Sequence, residues 1–432
     1  MVLFLNMKLP TMKNFQHFKV LIALSTIVIF SLFKPVESLA QEPIIPAAER
    51  TEAYIPSLKG KTVGVFANHT SLVQNKHLID HLRDNGIAVK KIFAPEHGFR
   101  GEAAAGEKID NTIDRTTGIP VLSLYGKKKR PTPEDLEGID ILLFDIQDVG
   151  VRFYTYISSL EEYMLSAIEA DKPLMVLDRP NPNGFYIDGP VLEKPYRSFV
   201  GMQPVPVVYG MTIGEYARMI LGENWLDPAI LAKRGKNFRL DVIPCAGYTH
   251  QSRYSLAVAP SPNLPDMSAI YWYPSTCFFE GTVLSEGRGT EKPFQIFGHP
   301  ELPKHLYSFT PQKKPGSGVP KLAGKRCYGW NISDSPDEVF KKVDNRLQLK
   351  WLLDAYKLFP NKKEFFLSPT PGTPAYASAG GNPTAYFFNK LAGNSTLMAQ
   401  IRAGKSEEAI RKSWQPAIQK FKAIRQKYLI YP

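Results

Sequence analysis

The sequence is poor in cysteine: only Cys245, Cys277 and Cys327 occur among its 432 residues. So small and odd a number excludes a disulfide scaffold, although one bridge is possible in an oxidising compartment. Neither a CxxC nor an HExxH motif is present, so a zinc site has no local signature. We therefore expect neither a disulfide framework nor a metal centre.

The sequence motifs of several large enzyme classes are also missing. The first predicted strand ends in Asn-His-Thr-Ser, residues 68–71, where a dinucleotide-binding fold carries its glycine fingerprint, so no nicotinamide or flavin is indicated. No G-x-S-x-G nucleophile elbow occurs, which argues against a serine hydrolase of the α/β-hydrolase type. A Walker loop is absent too. We expect no cofactor, and the chemistry that remains is that of carboxylates.

Positive charge is in excess, with a formal net charge of +12. Three lysines precede an apolar run at residues 20–33, and the small residues Ser38 and Ala40 follow it, which predicts a signal peptide over residues 1–40. A membrane anchor is the alternative, although the run is short for a bilayer span. We expect a periplasmic or extracellular protein without stable membrane insertion after cleavage of the signal peptide.

The basic character of the chain also bears on its partners. An exported basic protein suits a polyanionic neighbourhood such as a cell wall. Export disfavours nucleic acid, and neither a basic helix nor an RNA-binding aromatic motif is present. The oligomeric state has no signal in the sequence.

Strand-like and helix-like stretches alternate from residue 61 onward. The predicted strands are residues 61–68, 89–94, 119–126, 139–146, 172–178 and 237–245, with helices between them that include residues 78–86 and 155–170. The run at 139–146 is almost entirely apolar, as a strand covered on both faces requires. This alternation predicts an α/β fold with a doubly wound, mainly parallel sheet, in a domain spanning residues 50–255.

The second half of the chain has a different character and predicts a smaller, mixed α+β domain over residues 256–432. Residues 255–330 are rich in Pro, Gly, Tyr and Trp, which favours loops and short strands. A helix is predicted from Ser335 to Phe359 and a second over residues 406–428, where Pro416 should kink or restart it.

Polar side chains follow four of the predicted parallel strands, at the point where each strand ends. They are Asn68 and His69 after the first, Glu96, His97 and Arg100 after the second, Asp145, Asp148 and Arg152 after the fourth, and Asp178, Arg179 and Asn181 after the fifth. Because the carboxyl ends of parallel strands meet at one edge of a sheet, these groups should converge on one crevice.

A second set of charged residues lies in the glycine-rich segment 277–300. Glu280, Glu286, Arg288 and Glu291 stand there among glycines and aromatic residues. Glycine lets backbone approach a ligand closely, carboxylates and arginine bind hydroxyl groups, and aromatic faces stack on sugar rings. A solvated loop with internal ion pairs is the alternative interpretation.

These residue types fit the cleavage of a glycosidic bond, which needs a carboxylic acid to protonate the leaving oxygen and a second group at the anomeric carbon. Glu96 suits the acid role, because an apolar strand leads into it and desolvation there would raise its pKa. His97 could orient Glu96 or bind substrate. Asp145, Glu280 and Glu291 are the candidate partners.

Five ordered blocks of this sequence resemble the signature blocks of the NamZ-type exo-β-N-acetylmuramidases, a family once grouped as a domain of unknown function. The blocks are ANHTS (67–71), PEHGFRGEAAAGE (95–107), LLFDIQDVGVRFYTY (142–156), LDRPNPNG (177–184) and FEGTVLSEGRGTEKPF (279–294). The likeness extends from about residue 58 to the final YLIYP.

The resemblance implies a Rossmann-like N-terminal domain, a smaller auxiliary C-terminal domain and an active site in the cleft between them. It implies release of N-acetylmuramic acid from non-reducing ends of peptidoglycan fragments without a cofactor, with Glu96 as the catalytic residue. From the resemblance for Glu96, and from their positions after the strands for His97 and Asp145, we expect these three residues to be catalytic. The expected substrate contacts are Asn68, His69, Arg100, Asp148, Arg152, Asn181, Glu280, Glu286, Arg288 and Glu291.

Two other functions stay open at this point. One is a non-catalytic protein that binds cell-wall glycan, which needs no group with a perturbed pKa. The other is a metal-dependent hydrolase that uses His97, Asp145 and Asp148. The stereochemical outcome is also open, because it depends on the distance between two carboxyl groups.

Overall fold

The computed structural model describes residues 42–95, 99, 111–314, 318–369 and 382–432. The predicted signal peptide lies outside these residues. Within the described ranges, no helix has both the length and the apolar character needed to cross a bilayer.

A seven-stranded sheet forms the centre of the N-terminal part. The strands there are β1 (Thr62–Ala67), β2 (Leu72–Val73), β3 (Lys76–His77), β4 (Ala88–Ala94), β5 (Thr112–Ile113), β6 (Pro120–Ser123), β7 (Ile141–Asp145), β8 (Leu174–Leu177) and β9 (Leu240–Ile243). The sheet order is β5-β6-β4-β1-β7-β8-β9, and β2 and β3 form a separate hairpin. Only β5, at the edge, runs antiparallel to its neighbour.

The six parallel strands have the order of a Rossmann sheet. Counted along the chain, β6-β4-β1-β7-β8-β9 reads 3-2-1-4-5-6. The connections leave β1 toward β4 and return across it to β7, so the strand order reverses between β1 and β7. In such folds a ligand binds outside the carboxyl ends of the strands at this reversal. The predicted doubly wound, mainly parallel sheet is confirmed.

Helices cover both faces of this sheet, as the apolar strands require. They are α1 (Thr51–Leu58), α2 (Leu78–Asp84), α3 (Tyr156–Glu169), α4 (Ile213–Gly222) and the single-turn α5 (Pro228–Leu231). Val65 and Leu143 pack in the core with α1 and α2, whereas Phe66 and Phe144 pack in the core with α3 and α4. This alternation follows the two-residue period of a strand.

A small antiparallel sheet and short helices form the C-terminal part. The strands are β10 (Ile296–His299), β11 (Tyr307–Phe309) and β12 (Cys327–Asn331), in the order β10-β12-β11. The helices are α6 (Met267–Thr276), α7 (Pro336–Val343), α8 (Lys350–Leu358), α9 (Phe387–Ala392), α10 (Thr396–Arg402) and α11 (Glu407–Arg425). The predicted mixed α+β character is confirmed. Ile44–Pro432 forms one compact unit, and the boundary between residues 255 and 256 stays a prediction.

Two predictions about C-terminal elements were wrong in detail, and a third is narrowed to one of its two outcomes. The helix predicted from Ser335 to Phe359 is two helices, because Asp344 and Asn345 have left-handed φ angles of 50° and 53° that end α7. Helix α6 lies within 255–330, where we expected loops and short strands. Nine of its ten residues are buried, so it shows no amphipathic period. Helix α11 continues through Pro416, so the restart predicted as one outcome there does not occur, and the kink stays a prediction.

The three cysteines are buried and free, so the bridge that the sequence allowed does not form. Cys245 instead lies where the chain's last residues dock on the sheet. Its backbone N–H donates to the Tyr431 hydroxyl at 2.9 Å, and that hydroxyl donates to Asp178 Oδ2 at 2.6 Å. Burial raises the pKa of Asp178 to about 6, against the hydrogen bonds from Thr212 and Tyr431.

Glu161 is a buried acid on the interior side of α3. Its Oε1 accepts a hydrogen bond from Gln203 Nε2 at 2.6 Å, while its buried Oε2 has no hydrogen-bond partner. Burial raises the pKa of Glu161 to about 7, although Gln203 and Arg197 oppose the shift. A carboxyl whose pKa is higher in the folded state lowers stability as pH rises through that range.

Replacing Glu161 with glutamine should therefore stabilise the protein at pH 8 more than at pH 5. In the wild type, the free energy of unfolding falls as the pH rises from the ordinary pKa of a glutamate to about 7, because Glu161 ionises. We therefore expect the variant's advantage in the free energy of unfolding to be about 2–3 kcal/mol larger at pH 8 than at pH 5. Urea unfolding at both pH values measures it. Glu169→Gln, on the same helix, is the control without this gain, because Lys233 lowers the pKa of Glu169. An equal effect of Glu161→Gln at both pH values would contradict the assignment.

Candidate active site

A cavity of about 180 Å³ lies near the reversal of strand order between β1 and β7. Its wall residue Tyr156 accepts a hydrogen bond from Asn68 Nδ2 at 2.9 Å, and Asn68 directly follows β1. The cavity is lined by Phe153, Tyr154, Thr155, Tyr156, Val200, Ser261, Asn263, Leu264, Tyr273, Glu280, Arg288 and Phe294. It therefore brings the loop after β7 together with the predicted charged segment of the C-terminal part.

One wall of the cavity is aromatic. The rings of Tyr154 and Tyr156 meet edge to face, with centroids 4.8 Å apart. The Tyr154 hydroxyl donates to the Pro260 carbonyl oxygen at 2.9 Å, which ties this wall to the loop that carries Asn263. Rings fixed in this way present flat, partly polar surfaces that suit the faces and hydroxyl groups of a sugar.

A row of alternating charges, Glu280, Arg288, Glu286 and Lys321, begins at the cavity and continues behind it. Arg288 forms an ion pair with Glu280, and its Nε lies 3.4 Å from Glu286 Oε1. Lys321 Nζ lies 2.9 Å from Glu286 Oε2. Burial opposes ionisation of Glu286, yet Lys321 and Arg288 outweigh it and hold the pKa of Glu286 below its usual value. Glu280 and Arg288 face the cavity, and Glu286 supports them from behind.

The backbone around Arg288 takes conformations that few residues tolerate. Gly287 and Gly289 flank it with φ angles of 81° and 76°, and a Cβ on Gly287 would lie 2.5 Å from the Ile296 carbonyl oxygen. Phe294 has a φ of 60°, which is strained for a bulky residue. Such strain persists only where surrounding structure enforces it, and it concentrates at functional sites.

Phe294 connects this strained loop to the aromatic wall. The Arg288 guanidinium lies over the Phe294 ring at 5.3 Å, within range of a cation–π interaction. The same ring meets Tyr273 edge to face with centroids 4.8 Å apart. The cation in the cavity is thereby held by two carboxylates and one ring.

Asp145, one of the predicted catalytic residues, is fully buried and paired with Arg179. Arg179 Nε donates to Asp145 Oδ1 at 2.5 Å, and Nη2 donates to Oδ2 at 2.8 Å. This bidentate pair joins the ends of β7 and β8. Asp145 is not among the residues that line the cavity, and its catalytic role stays a prediction.

Asp148 is buried and is not among the residues that line the cavity. Burial raises its pKa to about 6, although hydrogen bonds to the carboxylate oppose the shift. Its Oδ2 accepts from the Tyr209 hydroxyl at 2.6 Å and from the Gly150 N–H at 2.7 Å, while Oδ1 has no partner. Substrate contact by Asp148 stays a prediction.

Arg152 and Asn181 hold backbone segments together. Arg152 is fully buried and donates to the carbonyl oxygens of Pro190, Val205 and Leu391 at 2.7–2.8 Å. Burial lowers the pKa of Arg152 to about 9. Asn181 donates to the Met211 carbonyl oxygen at 2.8 Å. These contacts join backbone segments that do not line the cavity, and direct substrate contact by either residue stays a prediction.

The remaining predicted residues fall into three groups. His69 Nε2 lies 2.9 Å from the Ala259 carbonyl oxygen, next to the loop that carries Asn263. Glu291 is exposed, pairs with Lys314 and does not line the cavity. Glu96, His97 and Arg100 lie outside the described residues. The structure thus brings Glu280 and Arg288 into the cavity and connects Asn68 to it through Tyr156.

Sequence reasoning missed several residues that line the cavity: Tyr154, Tyr156, Asn263, Tyr273 and Phe294. Tyr154 and Tyr156 belong to the block at 142–156, where attention to aromatic residues after a strand could have found them. Asn263 lies in a proline-rich loop that offers no period to analyse. Tyr273 lies on α6, a helix that the sequence did not predict.

The described residues also bear on the possibility of a metal centre. Among them, no three His, Cys, Asp or Glu side chains are grouped so as to hold a metal ion. Of the three residues considered for a metal-dependent hydrolase, Asp145 binds Arg179 and Asp148 binds Tyr209. His97 lies outside the described part of the chain.

Two solved structures share this fold. Crystal structures of two DUF1343 family proteins from Bacteroides fragilis each cover 90% of this chain and 99% of their own. One has a TM-score of 0.78 at 44% sequence identity, and the other a TM-score of 0.69 at 27% identity. The arrangement of sheet and C-terminal part is therefore shared with proteins solved experimentally.

Sequence comparison gives the same grouping with a more specific description. The chain is 39% identical over 401 residues to the peptidoglycan β-N-acetylmuramidase NamZ of Bacillus subtilis strain 168, a match that covers 88% of this chain and 89% of the relative. Residues 63–268 match the model of the N-terminal part of the exo-β-N-acetylmuramidase NamZ, and residues 271–431 match that of its C-terminal part. The chain belongs to the NamZ family of exo-β-N-acetylmuramidases.

Proposed function

We propose that the protein is an exo-acting glycosidase that releases N-acetylmuramic acid from the non-reducing ends of peptidoglycan fragments. The observation that carries this proposal is the cavity at the strand reversal, where tyrosine rings face a carboxylate–guanidinium pair, in a member of a muramidase family. A non-catalytic binding protein would need the aromatic wall but not the buried charges.

Glu96 is the proposed general acid and base. It follows Ala94 and Pro95 at the carboxyl end of β4, and β4 is the neighbour of β1 in the sheet. Phe93 and Ala94, the last residues of that strand, are buried. Desolvation of the Glu96 carboxyl by such a strand end would favour its protonated form, which a general acid requires. We propose that His97 orients it.

Glu280 is the proposed second carboxylate. Of the three candidate partners of Glu96, Asp145 is held by Arg179 and Glu291 is exposed, whereas Glu280 lines the cavity. Its role is to stabilise the positive charge that develops at the anomeric carbon during cleavage. The ion pair with Arg288 fixes its orientation.

Arg288 and the cavity's tyrosines are the proposed substrate contacts. A guanidinium has five N–H donors, and the two carboxylate partners of Arg288 are engaged through Nη2 and Nε. The remaining donors suit the lactyl carboxylate that distinguishes muramic acid from other amino sugars. Tyr154, Tyr156 and Asn263 supply the flat and hydrogen-bonding surface for the ring and its N-acetyl group.

We also propose that residues 1–40 direct export and are then removed. The support is the lysine-flanked apolar run and the small residues at 38 and 40. Mass spectrometry of the protein recovered from the periplasm or medium of its host should give a mature chain that begins at Gln41. Recovery of the uncleaved chain in the cytosol would contradict export.

Replacing Glu96 with glutamine should abolish nearly all release of N-acetylmuramic acid and leave the fold intact. Loss of a general acid costs about 10²–10⁴-fold in rate, measured as kcat on a chromogenic N-acetylmuramic acid glycoside and on short glycan chains. An unchanged unfolding midpoint in urea is the control for the fold. Retained turnover in the variant would remove Glu96 from the acid role. If the unmodified protein binds the glycan chains but releases no monosaccharide, the non-catalytic alternative is favoured.

Glu280 and Glu291 form a matched pair for testing the second carboxylate. Both belong to one segment, but only Glu280 lines the cavity. We expect Glu280→Gln to lower kcat/KM by about 100-fold or more, within the range for a group that acts on the reacting atoms. Glu291→Gln should change kcat/KM less than twofold. The reverse order of effects on the chromogenic glycoside would refute the choice of Glu280.

A further inference from the structure

A basic groove of about 850 Å³ runs beside helix α3. Its positive charges are Lys127, Lys128, Lys129, Arg130, Lys194 and Arg197. Three acidic residues, Glu161, Glu162 and Asp227, also line it, so positive charges exceed negative ones by three. The groove thus carries a local excess of positive charge that the cavity, with its paired charges, does not have.

The basic groove lies at the same edge of the sheet as the cavity. Lys127 to Arg130 follow the carboxyl end of β6, and β6 is the neighbour of β4, the strand that leads to Glu96. The Lys129 ammonium lies 4.0 Å from the ring centroid of Phe199, and the next residue, Val200, lines the cavity. The groove and the cavity therefore adjoin.

Helix α3 shows how far the cavity lies from the basic groove. Its first residue, Tyr156, lines the cavity, whereas Glu161 and Glu162 line the basic groove. Five to six residues of α-helix correspond to about 8–9 Å along the axis. A chain-like ligand whose end fills the cavity therefore has the groove within short reach.

Several charges in the groove are available to a ligand. Lys127 and Lys194 are exposed and form no ion pair with any described residue. Arg130 lies 3.9–4.0 Å from its nearest carboxylates, Glu162 and Glu169, and Arg197 lies 3.8 Å from Glu161. These separations are long for ion pairs with direct hydrogen bonds, so an incoming anion can compete for the cations.

Glu161 provides a second, independent indication of a ligand. It lines the groove, is almost fully buried, and its Oε2 has no hydrogen-bond partner. Buried polar groups are seldom left unpaired, so such an atom needs an explanation. With its pKa raised by burial to about 7, the carboxyl can keep its proton and donate it to an anionic ligand.

We propose that the basic groove binds the carboxylates of the acidic peptide carried by the glycan beyond the sugar that is released. This inference rests on the proposed function. The groove also contains Met202, Trp225 and Leu226, which suit the apolar side chains of a peptide. Glu162 and Asp227 would repel a dense phosphate polymer, whereas spaced carboxylates can meet the cations and avoid these two acids.

The test compares two glycan fragments of equal length, one bearing stem peptides and one from which an amidase has removed them. The triple variant Lys127→Gln, Lys194→Gln, Arg197→Gln removes three exposed charges. For each protein we compare kcat/KM on the peptide-bearing fragment with kcat/KM on the peptide-free fragment. We expect the triple variant to lower this ratio by about tenfold, mainly by raising KM for the peptide-bearing fragment. Added salt should lower the wild-type ratio in the same direction.

The matched control, Lys405→Gln, Lys412→Gln, Lys420→Gln, removes the same charge from exposed lysines around α10 and α11 and should keep the wild-type ratio. An unchanged ratio in the groove variant, or an equal fall in the control, would overturn the proposal.

Calorimetric titration with the free stem peptide separates this proposal from the proposed function. If the wild type releases no sugar from either fragment, the proposed glycosidase function is refuted. The titration still tests whether the groove binds the peptide. Peptide binding that the groove variant loses supports the groove. Absence of peptide binding, or tighter binding of poly(glycerol phosphate) or phosphatidylglycerol vesicles, would overturn it.

Discussion

The site depends on a buried network that locks together the strand ends at the reversal between β1 and β7. The bidentate pair of Asp145 and Arg179 joins β7 to β8. The Ser71 hydroxyl donates to the Asp145 carbonyl oxygen at 2.5 Å, and the Gln147 N–H donates to the Thr70 hydroxyl at 3.0 Å. Because one partner left alone would be a buried, uncompensated charge, this network tolerates little change. It fixes the loops from which the cavity is built.

The two binding regions use charge in opposite ways. In the cavity, Arg288 is held between Glu280 and Glu286, so its direction is set before a ligand arrives. Preorganised charges of this kind need no rearrangement during a reaction. The basic groove instead has exposed, weakly paired cations such as Arg197, which attract an anion but do not orient it finely. Recognition of a long acidic chain and positioning of one sugar are thereby divided between neighbouring surfaces.

Much of the fold could be predicted from the sequence because the strands are short apolar runs separated by clear turn residues. The helix after Ser335 was predicted too long, since nothing in its amphipathic pattern reveals the left-handed turn at Asp344. For the site, Glu280 and Glu291 are equally good candidates for the second carboxylate when only the sequence is considered. Only the folded geometry separates them, because one lines the cavity and the other is exposed. Tyr273 was missed since its helix is buried on all sides and has no period.

The left-handed backbone of Phe294 has a consequence for how this protein can change over evolutionary time. Glycine there would relieve the torsional penalty, yet it would delete the ring that contacts both Arg288 and Tyr273. Because the ring is buried in the core, its loss would leave a cavity that costs about 3–5 kcal/mol, which exceeds the roughly 1–3 kcal/mol of backbone strain. Selection for a hardier molecule would have to find its gains elsewhere in the chain, and a laboratory search for thermostable variants should treat position 294 as closed.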